Sequence, residues 1–201
     1  MSYNRFNISH KGFVIIGYPG IGKTSAASSF NNIIDLESNA FDKESSNWTD
    51  SYCETAYHLA DQGYSVFVSS HKEVVDKLVE LREYYPNITL IAIIPSLKLK
   101  NEWVNKLYIR ASSSIKNRHE HHKNVIAYNR VLNFYEKDII ELSSHNEFSI
   151  IFIENTWYNL VEIIHGIRTI YDPHINRRVY CEKSRMVNAV DDDTDDDLDE
   201  E

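Results

Sequence analysis

The sequence contains only two cysteines, Cys53 and Cys181, in 201 residues. Small secreted scaffolds held by disulfides contain more, so this count indicates a reducing compartment, and we expect the cytoplasm. A zinc site built on two cysteines also needs histidine partners at finger-like spacing, and the sequence has none. The histidine-rich segment 119–122 lacks the i, i+4 spacing of helical zinc motifs, so we interpret it as polar surface.

Long apolar runs are missing as well. No stretch of about 18 apolar residues occurs, so the sequence predicts neither a transmembrane helix nor a membrane partner. Residues 1–7 do not contain the apolar segment of a signal peptide. The hydrophobic fraction of 42% is ordinary for a globular protein, and 201 residues suffice for one α/β domain with a short tail.

Basic residues are not in excess in the main body of the chain. Residues 191–201 hold nine of the 30 acidic side chains, and the remaining acids match the 21 lysines and arginines in number. Long nucleic acids bind clustered lysine and arginine, so we expect no such partner. We predict that residues 190–201 form a disordered acidic tail, which either keeps the protein in solution or docks a basic partner.

The sequence does contain short apolar runs that alternate with longer amphipathic stretches. This alternation predicts an α/β fold with a mainly parallel sheet of about five strands and helices on both faces. We predict one domain over residues 1–172 and a loosely structured extension over 173–189, because Asp172-Pro173 ends the last helix. The predicted strands are 12–17, 33–36, 65–68, 88–94 and 148–153, and the main predicted helices are 48–62, 71–84, 100–111, 116–142 (with one possible break) and 156–171.

A glycine-rich segment follows the first predicted strand. Residues 17–24 match the pattern G-x-x-x-x-G-K-[ST], and a helix is predicted to begin directly after them. Glycines let successive main-chain N–H groups point at one anion, and the helix N-terminus adds partial positive charge. The residues predicted to bind a nucleotide are Gly17, Tyr18, Pro19, Gly20, Ile21, Gly22, Lys23, Thr24 and Ser25.

Two side chains of this segment have predicted chemical roles. Lys23 is a catalytic candidate that reaches the β- and γ-phosphates, and the Thr24 hydroxyl is a ligand for Mg²⁺. The expected cofactors are therefore ATP and Mg²⁺. The alternative is a glycine-rich turn with a surface lysine.

An acidic pair ends the second predicted strand. Asp35 and Glu37 are two residues apart and so share one side of an extended chain, at the sheet edge where ligands of α/β folds bind. We predict that Asp35 binds Mg²⁺ or accepts a proton from an acceptor substrate, and that Glu37 contacts this substrate. The alternative is a solvated pair of acids.

The third predicted strand ends at Ser69-Ser70-His71-Lys72, where a P-loop protein usually has a Walker-B aspartate. No acid is present there. Ser70 and His71 are candidate substrate contacts. In the alternative interpretation Ser70 is a helix N-cap and Glu73 completes a capping box, and Ser70 can also serve both roles.

A basic segment follows the fourth predicted strand. We predict a lid over the triphosphate, with Arg110 as a catalytic residue on the same helix face as Lys106. The alternative is a solvated helix face. The basic residues of the segment are Lys98, Lys100, Lys106, Arg110, Lys116 and Arg118.

The three tryptophans are widely separated in the sequence. We expect Trp48, Trp103 and Trp157 to anchor the core, and Trp48 is also positioned to stack on a base.

Together these features resemble the nucleoside and nucleotide kinase superfamily, to which shikimate, adenylate and thymidylate kinases belong. Segments 34–38, 68–74 and 94–97 more narrowly resemble small P-loop kinase-like proteins of bacteriophages and large DNA viruses. The resemblance covers about residues 12–160. It implies a three-layer P-loop sandwich with parallel strand order 2-3-1-4-5, an acidic motif that contacts acceptor or Mg²⁺, and lid arginines on the phosphates. The missing Walker-B acid and the missing Asp-Gly-x-Pro-Arg stretch argue against a true adenylate kinase.

The leading hypothesis is transfer of a phosphoryl group from ATP to a small acceptor, a (deoxy)nucleoside or its monophosphate, in the cytoplasm (that of the host if the chain is viral). A variant is a kinase for a modified base in phage DNA. Two other classes stay open: a regulatory P-loop ATPase that binds partners through the acidic tail, and a nucleotide-binding scaffold without catalysis. A GTP switch is disfavoured because Asn-Lys-x-Asp is absent.

Overall fold

The structure, a computed structural model, describes residues 12–171, with the side chain of Tyr171 left out. The predicted extension, the acidic tail and Cys181 lie outside this range, as does the predicted domain end at residue 172. The strands are β1 (Phe13–Gly17), β2 (Ile33–Asp35), β3 (Ser65–Val68), β4 (Thr89–Pro95) and β5 (Ser149–Ile153). The α-helices are α1 (Lys23–Ser29), α2 (Trp48–Asp61), α3 (Lys72–Leu81), α4 (Lys100–Ser113), α5 (Arg118–Ser143) and α6 (Leu160–Tyr171).

The five strands form one parallel sheet with the order β2-β3-β1-β4-β5, which confirms the predicted order. Val14 of the central strand pairs with Val66 on one side and Leu90 on the other. Every residue of β1 and β3 is buried, which explains why these strands are apolar without alternation. Because β1 is central and all strands are parallel, the loop after β1 leaves the sheet between the carboxyl ends of β3 and β4.

Helices surround this sheet. Helix α2 contacts β1 and β3, and α5 contacts β4. Helices α4 and α5 pack extensively against each other, and α5 continues without a break for 26 residues. Each of these helices buries a stripe of side chains at helical spacing; in α4 the buried residues are Trp103, Leu107 and Ala111.

The predicted capping box at the start of α3 is wrong. The N-cap is His71 rather than Ser70, and no side chain caps the helix. Instead, the Ser69 hydroxyl accepts a hydrogen bond from the His71 main-chain N–H at 3.3 Å. The strand therefore leads into the helix through a local serine turn, which also satisfies a backbone donor.

Two other expectations fail in the loop after β5. Helix α6 begins at Leu160, not at residue 156, because the Asn155 side chain accepts a hydrogen bond from the Trp157 N–H at 3.0 Å and forms a turn. Trp157 is 93% exposed and anchors no core, whereas Trp103 is fully buried as predicted. Trp48 is partly buried.

The chain divides into two compact units, Met1–Leu160 and Val161–Glu201. The first contains the whole sheet and helices α1 to α5. In the second, the described residues are 161–171 of α6, where Ile164 and Ile167 are buried. Within residues 12–171 no helix combines the length and the apolar character that a membrane span requires.

Candidate functional site

The glycine-rich loop between β1 and α1 depends on two glycines with left-handed backbone. Gly20 has φ 85° and Gly22, the N-cap of α1, has φ 92°. Residues with a Cβ rarely adopt this conformation. A Cβ on Gly20 would also lie 3.0 Å from Leu107 Cδ2 and 3.3 Å from Trp103 Nε1. Glycine at these two positions therefore lets the loop follow this path, close to α4, without backbone strain.

Side chains bind three alternate carbonyl groups of this loop. The Lys23 ammonium donates to the Gly17 oxygen at 2.8 Å, and the other two donors come from distant parts of the chain. The Pro19 oxygen accepts from Trp103 Nε1 at 2.8 Å, and the Ile21 oxygen accepts from the Tyr158 hydroxyl at 2.9 Å.

The main-chain N–H groups of the same segment are mostly unbonded. Those of Tyr18 and Ile21 donate within the fold, and the side chains of both residues are buried, so these two residues shape the loop. Five others donate to no acceptor in the described part of the chain: Gly20, Gly22, Lys23, Thr24 and Ser25. Free N–H groups at a helix N-terminus attract an anion, and here they are joined by the Lys23 ammonium.

A hydroxyl and a carboxylate meet beside these amides. The Thr24 hydroxyl donates to Asp35 Oδ2 at 2.7 Å, which joins the start of α1 to the end of β2. Both are oxygen groups of the kind that Mg²⁺ binds. Among residues 12–171 no group of three histidine, cysteine or acidic side chains could hold a metal by itself. A cation here would therefore need further oxygen ligands from a bound phosphate and water.

Two of the predicted catalytic residues, Asp35 and Arg110, act electrostatically on the third, Lys23. Burial lowers the pKa of Lys23, the Asp35 carboxylate opposes this effect, and the Arg110 charge lowers the pKa further. Arg110 itself pairs with Glu120 at 3.1 Å, and its side chain is half exposed. The structure thus brings Lys23 and Asp35 to one site and places Arg110 nearby, bound to the first turn of α5.

The second acid of the predicted pair faces a different partner. Glu37 lies beyond the end of β2 and accepts a hydrogen bond from Lys123 of α5 at 2.8 Å. This hydrogen bond is the main cause of the lowered pKa of Glu37. The charge of Lys23 acts on Glu37 as well, so Glu37 borders the same site as Asp35.

Ser70 and His71 lie at the carboxyl end of β3. The Ser70 carbonyl accepts from Arg130 Nη2 at 3.1 Å, and His71 Nδ1 lies 2.8 Å from the Ser69 hydroxyl oxygen. Burial, followed by the positive charges of Arg130, Lys43 and Lys23, lowers the pKa of His71 to about 4. Although His71 is an exposed residue, its lowered pKa leaves the ring neutral at pH 7 and able to both donate and accept a hydrogen bond.

Sequence analysis missed Arg130, which forms a half-buried ion pair with Asp138 at 2.8 Å. No motif marks it. The sequence gives one indication of the pair. Arg130 and Asp138 each come directly before a buried residue of α5, Val131 and Ile139, so both charges border the apolar stripe of this helix. Its charge acts on both Lys23 and His71, so α5 contributes a cation to this site.

Tyr52 was also not expected to organise the site. Its hydroxyl donates to the Leu36 carbonyl at 2.8 Å and accepts from the Ser69 N–H at 2.9 Å. It therefore ties the end of β2 to the end of β3, and so sets the separation of Asp35 and His71. Only the burial of a tyrosine on α2 could have suggested this role.

The comparisons with known proteins do not assign this site. No protein-family model matches the chain, and no curated protein matches its sequence. The residues described above are therefore what indicates the function of this site.

Proposed function

We propose that this protein is an ATP- and Mg²⁺-dependent phosphotransferase that acts on a small acceptor, a (deoxy)nucleoside or its monophosphate. The observation that carries the proposal is a set of five N–H groups, in the loop and at the start of α1, that find no acceptor among residues 12–171. They lie next to the Lys23 ammonium and the Thr24–Asp35 pair. In this proposal the fold is a three-layer P-loop sandwich with helices on both faces, and the protein works in the cytoplasm.

The chemistry assigned to the loop is charge stabilisation. The free amides and Lys23 hold the phosphate oxygens and stabilise the negative charge of the moving phosphoryl group. Thr24 and Asp35 would hold Mg²⁺, which neutralises phosphate charge when bound. In this arrangement Asp35 at the end of β2 replaces the acid that is missing from the end of β3.

The acceptor is assigned to the neighbouring surface, which includes Glu37, Ser70, His71 and Arg130. Asp35 orients the acceptor hydroxyl or takes its proton. Arg110 caps the phosphoryl group after exchanging its bond to Glu120 for one to the phosphates. Long nucleic acid is not a proposed partner, because the chain outside residues 190–201 has no net positive charge.

Lys23→Ala tests the proposal. We expect saturable binding of Mg·ATP to the wild type by calorimetry, and ADP release that requires an acceptor from a panel of nucleosides and monophosphates. Lys23→Ala should abolish turnover and leave the circular dichroism spectrum unchanged, because it removes an ammonium bonded to the loop and changes no residue of the core.

Lys137→Ala, a change at an exposed position of α5, is the matched control and should behave as the wild type. Full activity of Lys23→Ala would refute the site. Acceptor-independent ADP release would instead indicate an ATPase, and binding without turnover a scaffold.

A further inference from the structure

We propose that Trp103, Lys106 and Tyr158 form a brace that holds the glycine-rich loop in its anion-binding conformation, so that these three are positioning residues for the nucleotide phosphates. This inference rests on the proposed function. The brace joins α4 and the loop after β5 to a segment that is 84 and 137 residues away along the chain.

The geometry of a peptide unit links the bonded carbonyl groups of the loop to its free N–H groups. In a trans peptide the C=O and the next N–H belong to one plane and point in opposite directions. Trp103 binds the Pro19 oxygen, so the Gly20 N–H points away from Trp103. Tyr158 binds the Ile21 oxygen, so the Gly22 N–H points away from Tyr158.

These two N–H groups are among the five that have no acceptor in the described range. Without the side-chain donors, the peptide units after Pro19 and Ile21 could rotate, because the flanking glycines have wide backbone freedom. The two hydrogen bonds therefore select the rotation that presents the amides to a ligand. This reduces the conformational entropy that ligand binding must otherwise remove.

Lys106 links the two donors, Trp103 and Tyr158. Its ammonium lies 4.5 Å from the centre of the Trp103 ring and 5.0 Å from that of Tyr158. It also donates to the Tyr158 hydroxyl oxygen at 3.1 Å, which leaves the hydroxyl proton for Ile21. The Trp103 and Tyr158 rings stack with their centroids 6.0 Å apart, so one cation holds both aromatic donors.

The brace leaves little free space beside Gly20 of the loop. Trp103 is fully buried, and its Nε1 would lie 3.3 Å from a Cβ placed on Gly20. Burial, and then the charge of Arg110, lower the pKa of Lys106, which agrees with a cation held against the rings rather than in water. The loop is thus packed against α4 as well as bonded to it.

Tyr158→Phe is the main test, because it removes one oxygen and keeps the ring. Trp103→Phe removes the other donor, and Tyr108→Phe, at a position 55% exposed, is the matched control. The probes are Mg·ATP and inorganic tripolyphosphate with Mg²⁺, titrated by calorimetry. Amide hydrogen exchange over residues 17–25 is measured without ligand.

We expect Tyr158→Phe and Trp103→Phe each to raise the Kd for tripolyphosphate about tenfold, which corresponds to one lost hydrogen bond of about 1.4 kcal/mol. The loop amides should exchange faster, and KM for the acceptor should stay constant. If these residues only stabilised the fold, the variants would have a lower melting temperature. They would not combine a raised Kd for tripolyphosphate with an unchanged KM for the acceptor. Tyr108→Phe should change none of them.

Unchanged affinity and unchanged loop exchange in Tyr158→Phe would overturn the brace while the proposed function stands. Absence of Mg·ATP and tripolyphosphate binding by the wild type would overturn the proposed function. In that case, faster amide exchange over residues 17–25 in the variants than in the wild type would still show that the brace holds the loop. Equal exchange rates would overturn the brace as well.

Discussion

In the proposed nucleotide site, single residues at the ends of β2 and β3 differ from the arrangement that is usual in P-loop proteins. The end of β3 offers Ser69, Ser70 and a neutral His71 where an acid is customary, and the acid bonded to Thr24 is Asp35 instead. A hydrogen bond of 2.7 Å between a hydroxyl and a carboxylate orients both groups. If the site binds Mg²⁺ as proposed, the negative charge that attracts the cation comes from β2 rather than from β3.

Asp35→Asn should weaken Mg²⁺ dependence in particular. The amide keeps the shape and accepts from Thr24, but it lacks the negative charge that attracts a cation. We expect activity at fixed Mg²⁺ to fall about 10- to 100-fold and the Mg²⁺ concentration at half-maximal rate to rise. Asp42→Asn, at an exposed turn, is the control. Equal Mg²⁺ titrations for Asp35→Asn and wild type would contradict the assignment.

His71 should make the protein less stable in acid. Its folded pKa is about 4, below the ordinary value of 6.5, so the unfolded chain takes up this proton first as pH falls. Stability contributed by the neutral ring is complete above pH 6.5 and is lost between pH 6.5 and about 4. His71→Gln should therefore show a smaller loss of unfolding free energy between pH 7 and pH 4.5, measured with urea.

His119→Gln, at an exposed position of α5, controls for the removal of a histidine. If the wild type and His71→Gln lose the same stability over this pH interval, the lowered pKa of His71 is wrong.

At the scale of elements, the connection from β1 to α1 is the critical one. Helix α1 has only seven residues, and its N-cap makes no side-chain hydrogen bond, so the loop itself determines where the helix begins. Helices α4 and α5 supply the surrounding groups: Trp103 and Lys106 from the first, and Lys123 and Arg130 from the second. The site is therefore assembled from short local motifs and two long helices that reach it from later in the chain.

Gly22→Ala should destabilise the protein by about 1–2 kcal/mol, the cost of a Cβ in left-handed backbone. Space is not the cause, because no atom lies within 4 Å of the position that this Cβ would take. Gly166→Ala, which also meets no atom within 4 Å but lies inside α6, should stabilise the protein by about 0.5–1 kcal/mol. Urea unfolding measures both, and shifts of the same sign would contradict the conformational explanation.

At the scale of the whole molecule, charge is separated along the sequence. The formal charge of −9 is carried by residues 191–201, and every candidate site residue belongs to the first compact unit. Net charge affects association and solubility more than the fold. We therefore expect the sheet and the candidate site to form without residues 191–201.

Deleting residues 190–201 should leave the rate of phosphoryl transfer within a few-fold of wild type. None of the proposed contacts involves this segment. Anion-exchange elution at lower salt would confirm the loss of the nine charges. A large loss of activity would mean that the acidic residues take part in the reaction, and loss of partner binding alone would support the docking interpretation.

Local patterns were sufficient for most of the helices and strands and for the parallel sheet. Buried parallel strands and amphipathic helices have distinct periods, and a resemblance supplied the order β2-β3-β1-β4-β5 that the structure has. The pattern G-x-x-x-x-G-K-[ST] predicted the loop because two of its glycines, Gly20 and Gly22, adopt left-handed backbone. Backbone conformation of this kind is a local property of the sequence. The start of α3 was less predictable, because Ser69 and Ser70 are adjacent and have the same hydroxyl group. The path of the chain decides that the Ser69 hydroxyl accepts the hydrogen bond from the His71 N–H.

The sequence by itself determined that a glycine-rich loop, an acid and a basic helix would follow the first, second and fourth strands. Only the tertiary structure decided which side chains meet there. Thr24 with Asp35, Trp103 with Pro19 and Tyr158 with Ile21 are contacts between segments 11, 84 and 137 residues apart. Such contacts depend on how helices pack over the sheet edge, and no period or spacing along the chain encodes that packing.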